Sequence, residues 1–112
     1  MQISHPGRQT PRGVSREVVA PSAVPLSGSY TFLFTKPRTL TEAEIHAIIA
    51  RFAETARVAK LAGFTGVQIH SAHGYLNSQF LSPRTNLRTD QWGGPLENRM
   101  RFLLAIVERT RA

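Results

Sequence analysis

Two histidines and a tyrosine lie within six residues of one another: His70, His73 and Tyr75. They follow a short apolar run, Gly66–Ile69, which has the composition of a buried β-strand. Imidazole N–H groups donate hydrogen bonds and a phenol is a weak acid, so this set suits the binding and protonation of an oxygenated substrate. Because two imidazoles aimed at one point would stabilise a developing oxyanion, we expect a small catalytic site at this strand end.

Both imidazoles reach one point only if the chain turns. In an extended chain His70 and His73 would point to opposite faces, since side chains alternate with a period of two. A turn at Ser71–Ala72 would bring them together, and Gly74, which follows His73, favours such a turn.

Two other interpretations of these residues stay open. A single histidine at a strand end is often purely structural. For two histidines and a tyrosine in one loop, a structural and a catalytic role are about equally favoured. A His-x-x-His pair also occurs in zinc sites. Because the motif contains no Glu, the chain has no cysteine and no third ligand is obvious nearby, we expect no metal.

The elements that must position this site follow one another as strand, long loop, helix, strand, loop and helix. They are a strand at Met1–His5, a loop over 8–38, a helix between Thr41 and Gly63, the strand Gly66–Ile69 and a helix from Pro95. This βαβα order is the repeating unit of parallel α/β folds, in which sites form at the carboxyl ends of strands.

The first helix has strong local signals. Thr41 and Glu44 have the spacing of a capping box, and Gly63 is a typical helix stop. The predicted buried stripe is Ile45, Ile48, Ile49, Phe52, Ala56 and Ala59.

The other elements have weaker signals. Tyr30–Phe34 is interpreted as a short strand inside the long loop. Pro95 is expected in the first turn of the last helix, where its missing N–H has no cost. The predicted buried face of that helix is Leu96, Met100, Leu103, Leu104 and Val107.

Composition indicates a folded chain of one domain at most, with 41% apolar and 19% charged residues. No run approaches the roughly 20 apolar residues of a membrane helix. The first residues do not have the pattern of a secretory signal. With no cysteine, disulfides and thiolate catalysis are excluded, and we expect a cytoplasmic protein with no membrane association.

The net charge of +7 raises nucleic acid as an alternative partner. The arginines are scattered, however, and no aromatic residues interleave with them as a base-stacking surface requires, so we expect no nucleic-acid partner. A phosphate-bearing cofactor would use the same arginines.

Motifs along almost the whole chain carry a family resemblance. They are Gln-Ile-Ser-His-Pro-Gly-Arg-Gln (2–9), Val-Ala-Pro-Ser-Ala-Val-Pro-Leu (19–26), Lys-Pro-Arg-Thr-Leu-Thr-Glu-x-Glu-Ile (36–45), Gly-Val-Gln-Ile-His-Ser-Ala-His-Gly-Tyr-Leu (66–76), Ser-Gln-Phe-Leu-Ser-Pro (78–83), Thr-Asn (85–86), Arg-Thr-Asp (88–90) and Gly-Gly-x-x-Glu-Asn-Arg (93–99). Together they resemble the old yellow enzyme family of FMN-dependent NAD(P)H:flavin oxidoreductases and ene-reductases.

The resemblance implies an eight-stranded TIM (β/α)8 barrel, which takes about 200 to 250 residues. Residues 1–112 would then be a fragment of a single NADH:flavin oxidoreductase TIM-barrel domain: a partial α/β barrel of about two βα units, the third and fourth.

The resemblance also implies a reaction, in which NAD(P)H reduces FMN and hydride then passes to the β-carbon of an α,β-unsaturated carbonyl compound. His70 and His73 resemble the pair that hydrogen-bonds the carbonyl oxygen of this enone substrate. Tyr75 resembles the acid that protonates the α-carbon, and Gln2 resembles the glutamine that hydrogen-bonds the flavin ring.

Departures from the family pattern are few. Trp92 stands where tyrosine is usual, Pro95 where serine is common and Asn77 where leucine is frequent, and none is expected to touch the chemistry. The late-barrel segments that bind the flavin phosphate are expected to lie outside the chain.

Two hypotheses follow from the resemblance. The chain is part of an active flavin oxidoreductase, or it is a catalytically inactive truncated fragment without flavin binding of its own. Two parallel strands cannot close a barrel and would leave unpaired edges, so we expect missing barrel segments or oligomerisation to be needed for folding.

Overall fold

The computed structural model describes residues 1–29 and 31–112. Its strands are β1 (Gln2–Ile3), β2 (Val19–Ala20), β3 (Arg38–Thr39) and β4 (Gln68–Ile69), and its helices are α1 (Glu42–Leu61), α2 (Leu76–Leu81) and α3 (Leu96–Arg111). Two 3-10 turns, Gly7–Gln9 and Thr31–Leu33, lie in the segments between them.

Strands β1 and β4 pair in parallel, with Gln2 opposite Gln68 and Ile3 opposite Ile69. Because side chains alternate along a strand, the two isoleucines share one face and the two glutamines share the other. Ile3 is buried and belongs to the hydrophobic core, and Ile69 packs against that core. The glutamines are exposed on the opposite face.

The hydrophobic core lies between this sheet and the helices. Its buried members are Ile3, Leu40, Ile45, Ile48, Ile49, Phe52, Ala56, Leu76, Phe80, Trp92, Phe102 and Ile106. Helix α3 packs against both α1 and α2. The parallel strands with their following helices confirm the predicted α/β architecture of about two βα units of a TIM barrel, which in the described residues does not close.

Helix α1 confirms its sequence signals. The Thr41 hydroxyl accepts from the Glu44 amide, and the Glu44 carboxylate accepts from the Thr41 amide at 2.9 Å. The predicted stripe is buried in full: Ile45, Ile48, Ile49, Phe52, Ala56 and Ala59. At the other end, Gly63 N–H donates to Lys60 O and Phe64 N–H to Ala59 O, which is the Schellman pattern.

The predicted buried face of α3 is wrong. Phe102 and Ile106 are the fully buried residues of this helix, whereas Leu96 and Leu104 are 50% and 49% exposed. Met100, Leu103 and Val107 are only half-buried. The physical reason is that α3 carries apolar residues on more than one side, and its contacts with α1 and α2 select the side of Phe102. Pro95 lies at the N-cap, one position before the predicted first turn.

The predicted strand at residues 30–34 is also wrong. Thr31–Leu33 forms a 3-10 turn, closed by the Phe34 amide donating to Thr31 O at 3.1 Å, and Tyr30 lies outside the described residues. Phe34 makes a single antiparallel bridge with Pro11. Because proline has no N–H, a ladder cannot extend through this bridge, and the segment bonds locally instead.

Two elements lie in segments that were expected to be loops. Strands β2 and β3 form a second parallel pair, with Val19 opposite Arg38 and Ala20 opposite Thr39. Helix α2 occupies the loop after β4, and four of its six residues are buried. Its N-cap, Tyr75, makes no side-chain capping bond, so α2 lacks the capping signal by which the start of α1 could be predicted.

Candidate functional site

His70 directly follows β4 and is fixed by the sheet. Its amide donates to Ile3 O at 2.9 Å, which extends the parallel ladder by one step. The side chain is 8% exposed. Its Nε2 atom is buried and has no hydrogen-bond partner among the described residues. A buried nitrogen of this kind is costly to leave unpaired, so it marks a position where a ligand atom would be stabilised.

The turn after His70 brings the second imidazole back. His73 adopts a φ of 57° and Gly74 a φ of 71°, so two successive residues are in the left-handed region. For His73 this conformation carries a strain that glycine would not. The ring centroids of His70 and His73 lie 5.1 Å apart as a result. The turn forms two residues later than expected, at His73–Gly74 instead of Ser71–Ala72, and the two imidazoles are neighbours.

Tyr75 completes the cluster. Its ring centroid lies 4.9 Å from that of His70 in an edge-on arrangement, with 72° between the ring planes. His70 is buried, Tyr75 is half-buried and His73 is exposed, so the cluster runs from the interior to the surface. The structure thus brings together the three residues that sequence reasoning selected.

Gln2 lies on the same sheet as His70 but outside the cluster of His70, His73 and Tyr75. Its Nε2 donates to the Gln68 Oε1 at 2.7 Å, and both carboxamides are exposed. Gln68 was not selected from the sequence, although it stands two positions before His70 and so belongs to the same face of the strand. The pair forms a polar strip along the open face of the sheet.

Three carboxamide side chains hold the backbone of the His70–Tyr75 loop. Asn77 Nδ2 donates to His70 O at 2.9 Å, Gln9 Nε2 to His73 O at 2.7 Å, and Gln79 Nε2 to Gly74 O at 2.7 Å. Sequence reasoning missed Gln9 and Gln79. Asn77, a departure from the family pattern that was not expected to touch the chemistry, bonds to the backbone carbonyl of a candidate site residue.

His5 lies two residues after β1 and contacts the start of α2. Its Nδ1 accepts from the Gly7 amide at 3.0 Å, and its carbonyl accepts from the Leu76 amide at 2.9 Å. Burial, and secondarily the charge of Arg51, lower the pKa of His5 below its usual value. The His5 imidazole thus accepts within the loop after β1, and its backbone carbonyl joins that loop to the start of α2.

Among residues 1–29 and 31–112, no three His, Asp or Glu side chains are grouped in a way that would hold a metal ion. In the same part of the chain, no helix has both the length and the apolar character to span a membrane.

Comparison with known sequences gives one family. The model of the NADH:flavin oxidoreductase / NADH oxidase family matches residues 1–112. An NADH oxidase of Thermoanaerobacter brockii is 53% identical over 111 residues, which cover 97% of this chain and 16% of that protein. The NADH-dependent flavin oxidoreductase nadA of Aspergillus parasiticus is 51% identical over 98% of this chain and 26% of its own length.

A solved structure gives the same result at the level of the fold. Morphinone reductase in complex with tetrahydroNAD superposes with a TM-score of 0.90 and 36% identity, over 97% of this chain and 34% of that one. The chain therefore spans between about a sixth and about a third of the proteins that it matches.

Proposed function

The chain belongs to the NADH:flavin oxidoreductase / NADH oxidase family, the old yellow enzyme family, and we propose on this premise that it carries the substrate-binding part of an FMN-dependent oxidoreductase. The proposed reaction reduces an α,β-unsaturated carbonyl compound with NAD(P)H. Residues 1–112 would contribute about two βα units to a single TIM-barrel domain. The matched relatives are named for NADH oxidation and flavin reduction, which supports the nicotinamide part of the proposal.

The observation that carries this proposal is the buried, unpartnered Nε2 of His70 beside His73 and Tyr75. Each of these three side chains has a group able to donate a hydrogen bond, and the His73 and Tyr75 ring centroids lie 5.1 and 4.9 Å from that of His70. A carbonyl oxygen placed between the two imidazoles would satisfy His70 Nε2. It would also accept from His73, which is exposed.

His70 and His73 would bind the substrate and polarise it. Two N–H donors on a carbonyl oxygen stabilise the negative charge that develops there when hydride adds to the β-carbon. Their loop is held by the carboxamides of Asn77 and Gln9, so little reorganisation is needed when this charge appears.

Tyr75 would supply the proton. As hydride reaches the β-carbon, the α-carbon takes the phenolic proton of Tyr75 and the carbon–carbon double bond becomes a single bond. The resulting phenolate recovers a proton from solvent, which the half-exposed position of Tyr75 allows. Hydride and proton together balance the reduction.

Gln2 fits a flavin ring, whose edge carries alternating N–H and C=O groups. A carboxamide offers one donor and one acceptor, and Gln2 presents its carboxamide on the open face of the sheet, paired to Gln68. When bound, FMN would supply the hydride chemistry between NAD(P)H and the substrate. Gln2 and Gln68 would hold the ring through hydrogen bonds from their carboxamides.

A chimera tests this function. Residues 1–112 would replace the matching third of morphinone reductase, whose fold they share. We expect the purified chimera to retain FMN, to oxidise NADH and to reduce 2-cyclohexenone. Tyr75→Phe should slow enone reduction by about 100- to 10,000-fold, the usual range for a general acid, and leave flavin reduction by NADH unchanged.

In the Tyr75→Phe variant, bound flavin reports folding and the rate of enone reduction reports proton donation. A chimera variant that keeps its flavin but reduces the enone at the parent rate would contradict the role of Tyr75. As a control, Phe64→Leu changes an exposed aromatic residue away from the site and should leave both half-reactions unchanged.

The open two-stranded sheet favours a second hypothesis, that the chain alone has no catalytic activity. The β1–β4 pair does not close a barrel in the described residues, so the chain by itself would be catalytically inactive and would not bind flavin. Titration of the 112-residue chain with FMN, followed by flavin fluorescence, decides this point. We expect no binding at micromolar concentrations; saturable micromolar binding would show that the chain has a flavin site of its own.

A further inference from the structure

We propose that Gln79 is the positioning residue of the proton donor: it fixes the backbone on both sides of Tyr75 to the loop that follows β1. The proposal rests on the proposed function for the identity of Tyr75 as the donor. The hydrogen bonds by which the Gln79 side chain joins the two loops, called the Gln79 bracket below, can be tested independently of any activity.

Both peptide groups that flank Tyr75 bond to residue 79. The carbonyl of Gly74, in the peptide group before Tyr75, accepts from Gln79 Nε2 at 2.7 Å. The carbonyl of Tyr75 itself accepts from the Gln79 amide at 2.8 Å. With both peptide planes held, the direction in which the Tyr75 side chain leaves the backbone is fixed.

The same carboxamide reaches the other loop of the site. Gln79 Nε2 also donates to Pro6 O at 3.1 Å, and Gln79 Oε1 accepts from the Arg8 amide at 3.2 Å. The side chain thus makes three hydrogen bonds, and it is 1% exposed. Since the loop of Pro6 and Arg8 continues from β1, Gln79 ties Tyr75 to the strand that carries Gln2.

Gly7 leaves room for this bracket. Its φ is 56°, and a Cβ atom at this position would overlap the Gln79 carboxamide. The close approach of the Gly7 backbone to Gln79 is therefore a specific requirement, which a side chain at position 7 would break. It is an independent sign that the two loops are built around one carboxamide.

Each carboxamide of the site bonds to a different part of the His70–Tyr75 loop. Asn77 and Gln9 hold the carbonyls of His70 and His73, the proposed carbonyl-binding pair. The Gln79 carboxamide holds the carbonyl of Gly74, before Tyr75, and the backbone amide of residue 79 holds the carbonyl of Tyr75 itself. Loss of Gln79 should therefore displace the acid more than the binding pair, whereas loss of Gln9 should displace His73.

Hydrogen–deuterium exchange of the 112-residue chain tests the bracket. Gln79→Met keeps the side-chain volume and removes all three side-chain hydrogen bonds. We expect exchange to rise roughly tenfold in both loops, over residues 5–10 and 72–76, and to stay unchanged in α1. Gln91→Met, at an exposed position, is the matched control and should change neither loop.

A rise confined to residues 72–76 would overturn the bracket, because it would show that the loop after β1 does not depend on Gln79. If the parent chain exchanges at the unprotected rate throughout, the same comparison is made in the chimera, where bound flavin reports folding.

Steady-state kinetics of the chimera test positioning. We expect Gln79→Met to lower kcat for 2-cyclohexenone by about 100-fold with little change in KM, as for a reacting group displaced by about 1 Å. Gln9→Met should instead raise KM. A Gln79→Met variant with unchanged kcat in an active chimera refutes the positioning role alone. A parent chimera without enone reduction refutes the proposed function, and the exchange experiment still decides the bracket.

Discussion

Phe80 and Phe102 stack with their ring centroids 4.1 Å apart and 22° between the ring planes. Phe80 belongs to α2, the short helix of the site loop, and Phe102 belongs to α3. Both rings are fully buried. This contact anchors the helix that carries Asn77 and Gln79 to the larger helix behind it.

Truncation of Phe102 should therefore be severe. We expect Phe102→Ala to lower the free energy of unfolding by about 3–5 kcal/mol, as for other buried phenylalanines. Leu104→Ala, on the face that the sequence pattern had favoured, should cost much less, because Leu104 is 49% exposed. Urea unfolding measures both, here and below in the chimera because the chain is expected to need the rest of the barrel to fold, and Phe102→Leu serves if the alanine variant does not fold. Equal costs at the two positions would contradict the observed face.

Arg88 joins segments that are distant in sequence. Its guanidinium donates to Leu40 O at 2.6 Å and Pro21 O at 3.1 Å, and it pairs with Asp90 while the side chain is only 9% exposed. Arg88→Lys keeps the charge but not the fork of donors, so we expect a loss of about 1–3 kcal/mol in urea unfolding. The exposed Arg84→Lys is the control; a similar loss there would show a general effect of the substitution.

Glu44 gives a pH dependence at the start of α1. The hydrogen bonds from Arg38, and then those from Thr41, lower the pKa of Glu44 to about 2. Because the folded pKa lies below the unfolded value near 4.5, its contribution is fully present above pH 4.5 and is lost as the pH falls toward 2. We expect the stability difference between the parent chain and Glu44→Gln to shrink across this window.

His5 gives a second pH dependence, in the neutral range. Burial and Arg51 lower the folded pKa of His5 below 6.5, so the unfolded chain takes up the proton first. The contribution of His5 is present above pH 6.5 and is lost as the pH falls below it. His5→Asn keeps an acceptor for the Gly7 amide but does not titrate. We expect unfolding of the variant between pH 7 and pH 5 to lack the loss that the parent shows; identical profiles would refute the assignment.

Helix α1 was predictable because its signals are local. The capping box of Thr41 and Glu44, the apolar spacing and the stop at Gly63 all act within a few residues, and each one is confirmed. The neighbourhood of His70, His73 and Tyr75 was predictable for a similar reason, since one turn in a six-residue segment decides it.

The rest depends on contacts between distant segments. Phe102 is buried because Phe80 stacks on it, and nothing in the spacing of α3 alone distinguishes its side from that of Leu104. The role of Gln79 requires Pro6 and Arg8, more than 70 positions away. Family likeness supplied the expected roles of the site residues, and those roles stay predictions that the Tyr75→Phe and Gln79→Met variants test.

The parallel pairing of β1 with β4 determines which measurement can report that the site has assembled. Gln2 and Gln68 are 66 positions apart, so the sheet that carries the site closes a long loop, whereas α1 and α3 form from neighbouring residues. Helical content and site integrity are thus separate quantities. A preparation with full far-ultraviolet circular dichroism can still lack the strand register that places Gln2 beside Gln68, and only a probe of those long-range contacts reports whether the site has assembled.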